Sequence, residues 1–560
     1  MDTIKSQVGI LILLNNKTYG MQPSASNSSK SKLLYKVIPH NKELPACLVP
    51  YEIKHLGFYK VLVNQYVTFK YNNNLDSESE TKIHTGILDQ VIGPITSLEG
   101  FYEYELYKKN LRKSLTPFKN IVNKAINSKT ESELINDILS KYPNIEDRTS
   151  LDWYTFSIDP EFSIDFDDAF SLKKVSTGSQ LELCSNRHTT GSQLEQSSNR
   201  HEATNYLLSI YIANVPLWFD YLNIWDQLSV DNITKVSTIY CPNKKYPMLP
   251  PILSDDLCSL HAKKVRFAFV LDLIISKDDN NSSYKIISHS YSNVIINIRK
   301  NFVYDTETLE TNQHYKNLFE LVQKIKTDTE TKTLNSHDLV EYLMILMNNI
   351  CGKDLLISKT GIFRSVSLDI TQNDINISSI QDIKIINNIK MIMNSSGNYI
   401  GYNEDESTLS HTILNSKSYI HITSPIRRLV DILNMYKLQE INNLINFNEK
   451  SNILYNEWIL SLNLINLNKI SKSIRKVQNN CNLLYLFHNN KNILDKVYDG
   501  YIIETNNAKL IINVYIPELK LISRIIANKE YNLYTKSQYK LYLFNDEQTL
   551  NRKIRLLELN

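Results

Sequence analysis

Residues 157–168 are Ser157-Ile158-Asp159-Pro160-Glu161-Phe162-Ser163-Ile164-Asp165-Phe166-Asp167-Asp168, which places four aspartates and one glutamate among bulky apolar side chains. In an extended segment Asp165 and Asp167 share a face, and Pro160 bends the chain so that Asp159 can turn back towards them. Two carboxylates about 4 Å apart repel by roughly 4 kcal/mol at an effective dielectric of about 20. Such a cluster needs a counter-cation, and hard oxygen ligands suit magnesium or manganese. The spacing alone fits a solvated acidic turn equally well.

Further motifs follow this cluster in order along the chain. Tyr211-Ile212-Ala213-Asn214-Val215 comes first, then the block Tyr246-Pro247-Met248-Leu249-Pro250-Pro251-Ile252-Leu253-Ser254-Asp255-Asp256-Leu257-Cys258-Ser259-Leu260, and finally His421-Ile422-Thr423-Ser424-Pro425-Ile426-Arg427-Arg428. With the pattern Asp-Pro-x-x-x-x-Asp-x-Asp-Asp-Ala, these blocks resemble the RNase II/RNase R family of exoribonucleases, which contain an RNB catalytic domain. The resemblance covers roughly residues 150–440. The shortened architecture is similar to that of eukaryotic or large-DNA-virus members related to the exosome catalytic subunit.

The resemblance implies a hydrolytic 3′→5′ exoribonuclease that degrades single-stranded RNA to nucleoside 5′-monophosphates by a two-metal mechanism. The implied cofactor is Mg²⁺, with Mn²⁺ as the other candidate. Asp159 and Asp168 match direct metal ligands of the family, and Asp165 matches a ligand that binds directly or through water. Asp167 matches the carboxylate tied most closely to the chemical step, through a second metal or the nucleophilic water. Arg427 matches the arginine that contacts the scissile phosphate.

Three further residues match the family's contacts to the 3′ end of RNA. Tyr240 and Tyr304 match aromatic residues that stack on the terminal nucleotides. Glu341 matches a carboxylate that accepts a hydrogen bond from a ribose 2′-hydroxyl, the group that distinguishes RNA from DNA. Without the resemblance, a tyrosine in a chain with 34 of them is more often a packing residue. An arginine such as Arg427 or Arg428 can likewise form an ion pair with a carboxylate of a neighbouring helix.

The chain departs from the family pattern at several positions. Asn214 replaces an aspartate, Lys235 replaces an arginine, and Leu429 and Asn434 replace a tyrosine and a histidine. We expect these four positions to be peripheral to the metals. In addition, only 37 residues separate Tyr304 from Glu341. A hairpin that many relatives insert there, with an aromatic that helps to sandwich the bases, is therefore expected to be missing, which leaves processivity and final product length open.

The predicted fold is multidomain, with both α/β and all-β parts. Residues 1–150 alternate short apolar runs with turns, which indicates an OB or cold-shock-like β-barrel region that binds RNA. Residues 151–440 correspond to the mixed α/β RNB catalytic domain. Residues 441–560 are predicted to form a helical connector and a C-terminal OB-fold RNA-binding domain. Within the catalytic domain, residues 174–205 contain a repeat of period 13 and are predicted to be a flexible surface insertion; a metal role for its His188 and His201 is the weaker alternative.

Composition limits the class of protein. With 560 residues, 42% hydrophobic content and a net charge of only +3, the chain can form several cores but has no uniformly basic coat. A nucleic-acid surface must therefore be local, and two basic sets are candidates: Lys108, Lys109, Arg112 and Lys113, and Lys469, Lys472, Arg475 and Lys476. Within the second set, helical spacing predicts an apolar face opposite the basic one, made of Ile470, Ile474, Val477 and Cys481. The six cysteines lack metal-site spacing and are predicted to be free thiols.

No apolar run is long enough to cross a bilayer and no secretion signal is recognisable, so we expect no membrane partner and an intracellular location. The cytoplasm is the predicted compartment, which would be the host cytoplasm for a viral protein, with the nucleus as the alternative. The expected partner is single-stranded RNA with a free 3′ end. We expect a monomer, with association with RNA-decay factors left open. Two rival functions are a catalytically silent RNA-binding or assembly protein on the same fold and a 3′→5′ DNA exonuclease.

Overall fold

The computed structural model of the chain describes residues 6–22, 32–53, 62–72, 84–175, 205–233, 235–277, 284–325, 335–366, 386, 389, 397–506, 508, 510–545 and 552–559. The predicted repeat insertion, including Cys184, His188 and His201, lies outside these residues. None of the described helices has the length and apolar character needed to cross a membrane. The cysteines of the described ranges are free thiols, as predicted: Cys47, Cys241, Cys258, Cys351 and Cys481.

The N-terminal region forms a β-barrel. Its strands are β1 (Gln7–Leu11), β2 (Met21–Gln22), β3 (Lys32–Pro39), β4 (Cys47–Pro50), β5 (Gln65–Tyr71) and β6 (His84–Pro94). They are ordered β1-β5-β6-β4-β3-β2, and a further pairing of β1 with β3 closes five of them into a barrel. Alternate residues of β3, among them Tyr35 and Val37, point into a core shared with Val67 and Phe69. The predicted OB-like barrel is thereby confirmed.

Three helices follow the barrel: α1 (Leu98–Lys108), α2 (Thr116–Ile126) and α3 (Glu131–Lys141). The start of α3 is fixed by a capping box, in which Thr130 accepts from the backbone of Glu133 and Glu133 accepts from the backbone of Thr130. Apolar residues of all three helices join the core on one face of the central sheet, among them Phe101, Val122 and Ile138.

The central sheet carries the candidate site. Its strands are β7 (Glu146–Arg148), β8 (Thr155–Asp159), β9 (Asp168–Val175), β10 (Asn205–Ala213), β13 (Val265–Lys277) and β14 (Tyr284–Val303), ordered β13-β10-β9-β8-β14-β7. Between β10 and β13 along the chain, β11 (Ile239–Cys241) and β12 (Lys244–Tyr246) form a separate short hairpin. Successive residues of β10 enter different cores, with Ile210 and Ile212 on one face and Tyr211 and Ala213 on the other. The strand is predominantly apolar because both faces of the sheet are covered.

Helices cover both faces of this sheet. They are α4 (Val215–Leu222), α5 (Glu307–Glu310), α6 (Gln313–Ile325), α7 (Ser336–Ile357), α8 (Leu429–Ile441), α9 (Glu449–Ile459) and α10 (Ser461–Asn489), with the pair β15 (Ile362–Ser365) and β16 (Asn398–Gly401) between α7 and α8. On α10, the predicted apolar positions Ile474, Val477 and Cys481 are buried and Ile470 is partly buried. The helical spacing of these residues therefore identified the buried face correctly.

A five-stranded antiparallel sheet forms the C-terminal region. It contains β17 (Val497–Asn506), β18 (Ile511–Ile516), β19 (Leu521–Ile526), β20 (Lys536–Asn545) and β21 (Arg552–Leu559) in the order β19-β18-β17-β20-β21. Tyr498, Ile502, Val514 and Tyr539 belong to its separate core. The sheet lies where the sequence predicted the second OB fold. The predicted domain boundaries at residues 150 and 440 remain a prediction.

Candidate active site

Two adjacent strands bring the first and last aspartates of the cluster together. β8 ends at Asp159 and β9 begins at Asp168, and the two strands pair in antiparallel fashion through Phe156 and Phe170. The end of one strand and the start of an antiparallel neighbour lie at the same edge of a sheet. Residues 160–167 form the connecting loop, which we call the aspartate loop.

The aspartate loop is held by the block at 246–260 that resembled the family. The hydroxyl of Ser259 accepts a 2.9 Å hydrogen bond from the Phe166 amide and donates one of 2.9 Å to the Ile164 carbonyl. The Leu260 amide donates to the Phe166 carbonyl at 3.0 Å. Asn301 of β14 extends this support, since its side-chain amide donates to the Ser157 hydroxyl at 2.8 Å. The backbone of the loop is therefore fixed before any ligand binds.

In the described structure, Asp159 and Asp168 are the two aspartates of the site with the fewest hydrogen-bond and ion-pair partners. The Ser157 hydroxyl donates to Oδ2 of Asp159 at 2.7 Å, whereas Oδ2 of Asp168 is buried and has no hydrogen-bond partner among the described residues. Burial raises the pKa of Asp159 to about 6, against the opposing effects of Ser157 and Arg427. Burial also raises the pKa of Asp168, and the charges of Asp159 and Asp167 raise it further. Two adjacent carboxylates with an unsatisfied oxygen are a fit for a bound cation.

Asp167 connects the aspartate loop to the arginine motif. The Ile426 amide donates to Oδ1 of Asp167 at 2.9 Å, and Nε of Arg427 donates to Oδ2 at 3.0 Å. Asp167 is only 3% exposed. Burial raises its pKa to about 7, although Arg427 and the Ile426 amide act in the opposite direction. A second nitrogen of Arg427, Nη2, donates to the Ser424 hydroxyl at 3.0 Å, so the guanidinium is fixed at two points.

Asp165 faces the β11–β12 hairpin. The Tyr240 phenol donates to Oδ2 of Asp165 at 2.6 Å, and Nζ of Lys245 lies 3.3 Å from Oδ1. Tyr240 is positioned because the preceding residues pair with the arginine motif: the Thr238 amide donates to the Arg427 carbonyl at 3.0 Å. The ring of Tyr240 is 36% exposed and available to a ligand.

Tyr304 lies beside the cluster, and Glu341 lies on a different element, α7. The Tyr304 amide, just after β14, donates to the Asp159 carbonyl at 3.2 Å, which fixes its backbone next to the site. Burial raises the pKa of its phenol, and the charges of Asp168 and Asp159 raise it further. Glu341 is exposed on α7. The described part of the interval between Tyr304 and Glu341 contains α5, α6 and the first turn of α7. The expected loss of the hairpin stays a prediction.

The contacts of the four aspartates indicate which of them can bind the implied metal. Among the described residues, no group of three or more His, Cys, Asp or Glu side chains is arranged to bind a metal ion. Tyr240 and Lys245 contact Asp165, and the arginine motif contacts Asp167. Asp159 and Asp168 do fit a hard divalent cation, because their oxygens are close, buried and incompletely paired.

The four departures from the family pattern do not hydrogen-bond to the aspartates in the described structure. Asn214 caps α4 and donates to Asn293 at 2.8 Å, while the Asn434 side chain bonds to the backbone of β15. Leu429 is a core residue. Lys235 is 6% exposed, and burial together with the charge of Arg112 lowers its pKa to about 8. Arg428 forms the anticipated ion pair with a helix carboxylate, Asp431, at 2.9 Å.

The two basic sets approach each other where α1 meets α10. In the first set, Arg112 forms an ion pair with Glu103 at 2.6 Å and Lys113 donates to the Asn232 carbonyl at 2.6 Å. Burial and the charge of Lys476 lower the pKa of Lys109. Much of the first set is thus engaged within the protein, and its role as a channel surface stays a prediction.

Sequence analysis did not identify several residues that position the site. Ser259 and Ser157 bond to the aspartate loop and to Asp159, and Asn301 supports both. Ser259 belongs to a motif that was recognised, but nothing in the motif indicated which backbone it bonds. His337, which stacks on the Tyr304 ring, was not noticed, since a single histidine at a helix start has no local signature.

Comparison with known proteins supports the motif assignment. The model of the RNB domain matches residues 147–316 and 295–444, more than half of the chain. Ribonuclease R of Buchnera aphidicola is 24% identical over 392 residues, covering 59% of this chain and 49% of the relative. The chain covers about half or less of the length of the curated relatives that it matches.

Solved structures share the fold. The apo form of Mycoplasma genitalium RNase R matches with a TM-score of 0.65 at 17% identity, covering 99% of this chain and 89% of that chain. Yeast Ssd1, described as a pseudonuclease, matches with a TM-score of 0.56 at 13% identity, covering 94% of this chain and 65% of that chain. At these identities the likeness extends to the fold alone, and the fold occurs both in a ribonuclease and in a pseudonuclease.

Proposed function

The chain belongs to the RNB-domain family, and on this premise we propose that it hydrolyses single-stranded RNA from a free 3′ end and releases nucleoside 5′-monophosphates. One observation carries the proposal: Asp159, Asp165, Asp167, Asp168 and Arg427 converge at one edge of the central sheet, although Asp167 and Arg427 lie 260 positions apart in the sequence. A silent scaffold has no need to hold four carboxylates and an arginine together against their burial cost.

The proposed cofactor is Mg²⁺, with Mn²⁺ as a substitute. Asp159 and Asp168 are the proposed direct ligands, and Asp165 and Asp167 complete a two-metal site after exchanging some of their protein donors. When bound, the cations would supply an activated water and stabilise charge on the attacking and leaving oxygens. The raised pKa values of Asp159 and Asp168 support this assignment, because a cation stabilises the charged forms that burial and the neighbouring carboxylates disfavour.

Arg427 is the proposed contact to the scissile phosphate. Its Nε bonds to Asp167 and one Nη bonds to Ser424, while the side chain remains 45% exposed. The remaining Nη has no partner among the described residues and can donate to a phosphate oxygen. Because the planar guanidinium is already oriented, little conformational entropy is lost when it binds the substrate.

Tyr240, Tyr304 and Glu341 are proposed to bind the 3′-terminal nucleotides. Tyr240 and Tyr304 each bond to an aspartate of the cluster, Tyr240 to Asp165 and Tyr304 to Asp159. Glu341 is exposed on α7 and free to accept from a ribose hydroxyl. An RNA whose 3′ end lies between these residues presents its last phosphodiester to the aspartate cluster, which favours cleavage of one nucleotide at a time.

The rival functions make different predictions. A silent RNA-binding protein would bind RNA without cutting it, and the likeness to a pseudonuclease keeps this reading open. The convergence of the four aspartates with Arg427 favours the enzyme. A DNA exonuclease would be indifferent to the 2′-hydroxyl, which the exposed Glu341 carboxylate argues against.

A single set of gels tests the proposal. The purified chain is incubated with uniformly labelled RNA that has a 3′ overhang, with DNA of matched sequence and with circular RNA, each in Mg²⁺ or in EDTA. We expect stepwise shortening of the linear RNA in Mg²⁺ only, release of mononucleotides, slow loss of DNA and survival of the circle. The Asp168→Asn protein is the matched control, because it keeps the shape of the site but removes a ligand charge.

Each contrary result identifies a rival. Cleavage of the circle at a comparable rate means endonuclease activity, and equal loss of DNA and RNA means a general exonuclease. Binding of RNA without any metal-dependent shortening supports the silent protein.

A further inference from the structure

A second aromatic ring lies directly on Tyr304. The imidazole of His337 is stacked on the phenol ring, with ring centroids 3.8 Å apart and an interplanar angle of 9°. His337 is the second residue of α7, so α7 and the end of β14 meet at this contact. The stack covers one face of Tyr304, the residue proposed to contact the terminal base.

The position of His337 is fixed by the residue after Tyr304. Two hydrogen bonds join Asp305 to Ser336. The Asp305 amide donates to the Ser336 hydroxyl at 3.0 Å, and that hydroxyl donates to Oδ1 of Asp305 at 2.6 Å. The other carboxylate oxygen of Asp305 lies 3.6 Å from Nε2 of His337. Asp305 therefore holds the first turn of α7 against the end of β14 and keeps the two rings parallel.

The outer face of His337 is open. Its side chain is 58% exposed, whereas Tyr304 has one face covered by the imidazole and lies close to Asp159 and Asp168. Glu341 follows four residues after His337, so the two side chains lie on the same face of α7, one turn apart. An aromatic face and a carboxylate at this spacing can contact the base and the ribose of one nucleotide.

We propose that His337 forms the stacking platform for a base at the 3′ end of the RNA, supported from below by Tyr304 and flanked by Glu341. The inference rests on the proposed function and names a further positioning residue for it. His337 would supply a second aromatic surface in a chain that is expected to lack the hairpin with its additional aromatic. Stacking of this kind accepts every base, since each has a π-face.

The test separates binding from hydrolysis. A single-stranded RNA with 2-aminopurine at its 3′ end is titrated with protein in EDTA, and the fluorescence reports both affinity and stacking of that base. A second RNA with the probe at its 5′ end shows whether stacking is specific to the 3′ end. The variants are His337→Ala, His337→Phe, which keeps an aromatic ring, and His314→Ala.

His314 provides a matched control in the same chain. It is stacked on Tyr154 with ring centroids 3.7 Å apart and an interplanar angle of 4°. Tyr154 precedes β8, at the end opposite Asp159 and roughly 16 Å away along the strand. The His314→Ala change therefore removes a stacked histidine–tyrosine pair of the same kind without affecting the candidate site.

We expect the wild type and His314→Ala to quench the fluorescence of the 3′ probe and not that of the 5′ probe. His337→Ala should weaken RNA binding by about 5- to 100-fold and lose most of the quenching. His337→Phe should restore both the affinity and the quenching. In Mg²⁺, KM should rise in His337→Ala while kcat changes little. Wild-type affinity and quenching in His337→Ala would overturn the inference, and so would a Phe variant as defective as the Ala variant. If the wild type quenches the 3′ probe as expected but never hydrolyses RNA, the proposed function fails while the platform stands.

Discussion

The phenol of Tyr240 donates a 2.6 Å hydrogen bond to Oδ2 of Asp165. The first residue is a proposed RNA contact and the second a proposed metal ligand, so a single hydrogen bond links substrate binding to metal binding. Burial raises the pKa of Tyr240, and the charge of Asp165 raises it further. The phenol therefore stays protonated at neutral pH and remains a donor to Asp165.

Replacement of Tyr240 by Phe should tighten metal binding while leaving RNA affinity within about threefold. The ring remains for stacking, but the donor that competes for Oδ2 of Asp165 is lost. A hydrogen bond to a charged group is worth about 1.5 to 3 kcal/mol, so the Mg²⁺ concentration at half-maximal rate should fall by about ten- to a hundredfold. Metal titrations of the hydrolysis rate measure this. An unchanged midpoint would indicate that Asp165 contacts the metal only through water.

Replacement of Asp167 by Asn should lower turnover by several orders of magnitude with RNA affinity unchanged or higher. The change keeps an acceptor for the Ile426 amide but removes the charge opposite Arg427 and the cations. Single-turnover hydrolysis and binding in EDTA measure the two effects. Near-normal hydrolysis in this variant would rule out the proposed mechanism even though the fold is correct.

Asp159→Asn is the matched comparison for that variant. Asp159 contacts Ser157 and not the arginine motif, so its loss should weaken metal binding rather than the chemical step. Added Mg²⁺ should therefore restore part of the rate of Asp159→Asn but not of Asp167→Asn. The same response in both variants would contradict the separate roles.

Replacement of Glu341 by Ala should reduce discrimination against DNA. The lost hydrogen bond involves a hydroxyl that only RNA has, and a bond to a charged group is worth about 1.5 to 3 kcal/mol. The ratio of RNA to DNA hydrolysis rates should fall by about ten- to a hundredfold. Glu320→Ala, at an exposed position of α6, should leave the ratio unchanged. If Glu341→Ala also leaves it unchanged, Glu341 serves another purpose on α7.

The metal-free protein should lose stability as the pH rises from about 4 to about 7. The folded-state pKa values of Asp159 and Asp167, about 6 and about 7, exceed the value of about 3.9 for an aspartate in an unfolded chain. The folded state therefore favours the protonated forms, and their stabilising contribution is complete below about pH 4 and lost as the pH passes the folded values. Mg²⁺ should raise the melting temperature more at pH 8 than at pH 5. Thermal melts in EDTA and Mg²⁺ check this, with Asp167→Asn expected to show a shallower pH dependence.

The sequence allowed much of the fold to be predicted because its signals are local. Short apolar runs between turns indicated the N-terminal β-barrel, and helical spacing identified the buried face of α10. The aspartates were recognisable because they are consecutive in the chain. Their supports were not, because Ser259 bonds to the aspartate loop across 93 positions and Asn301 bonds to Ser157 of β8 across 144 positions. A serine that bonds a distant backbone and a histidine that stacks on a distant tyrosine leave no periodic pattern.

The bond between Asp167 and the Ile426 amide spans 259 positions, and this separation has a consequence for synthesis. A ribosome completes the aspartate loop long before it adds the arginine motif, so a growing chain carries the carboxylates without Ile426 and Arg427. Contacts of such high sequence separation form late, because a large loop must close first. If the chain is the nuclease proposed above, a partly translated copy has no working centre and leaves the message beneath it intact. Nuclease activity then begins only once translation has passed the arginine motif.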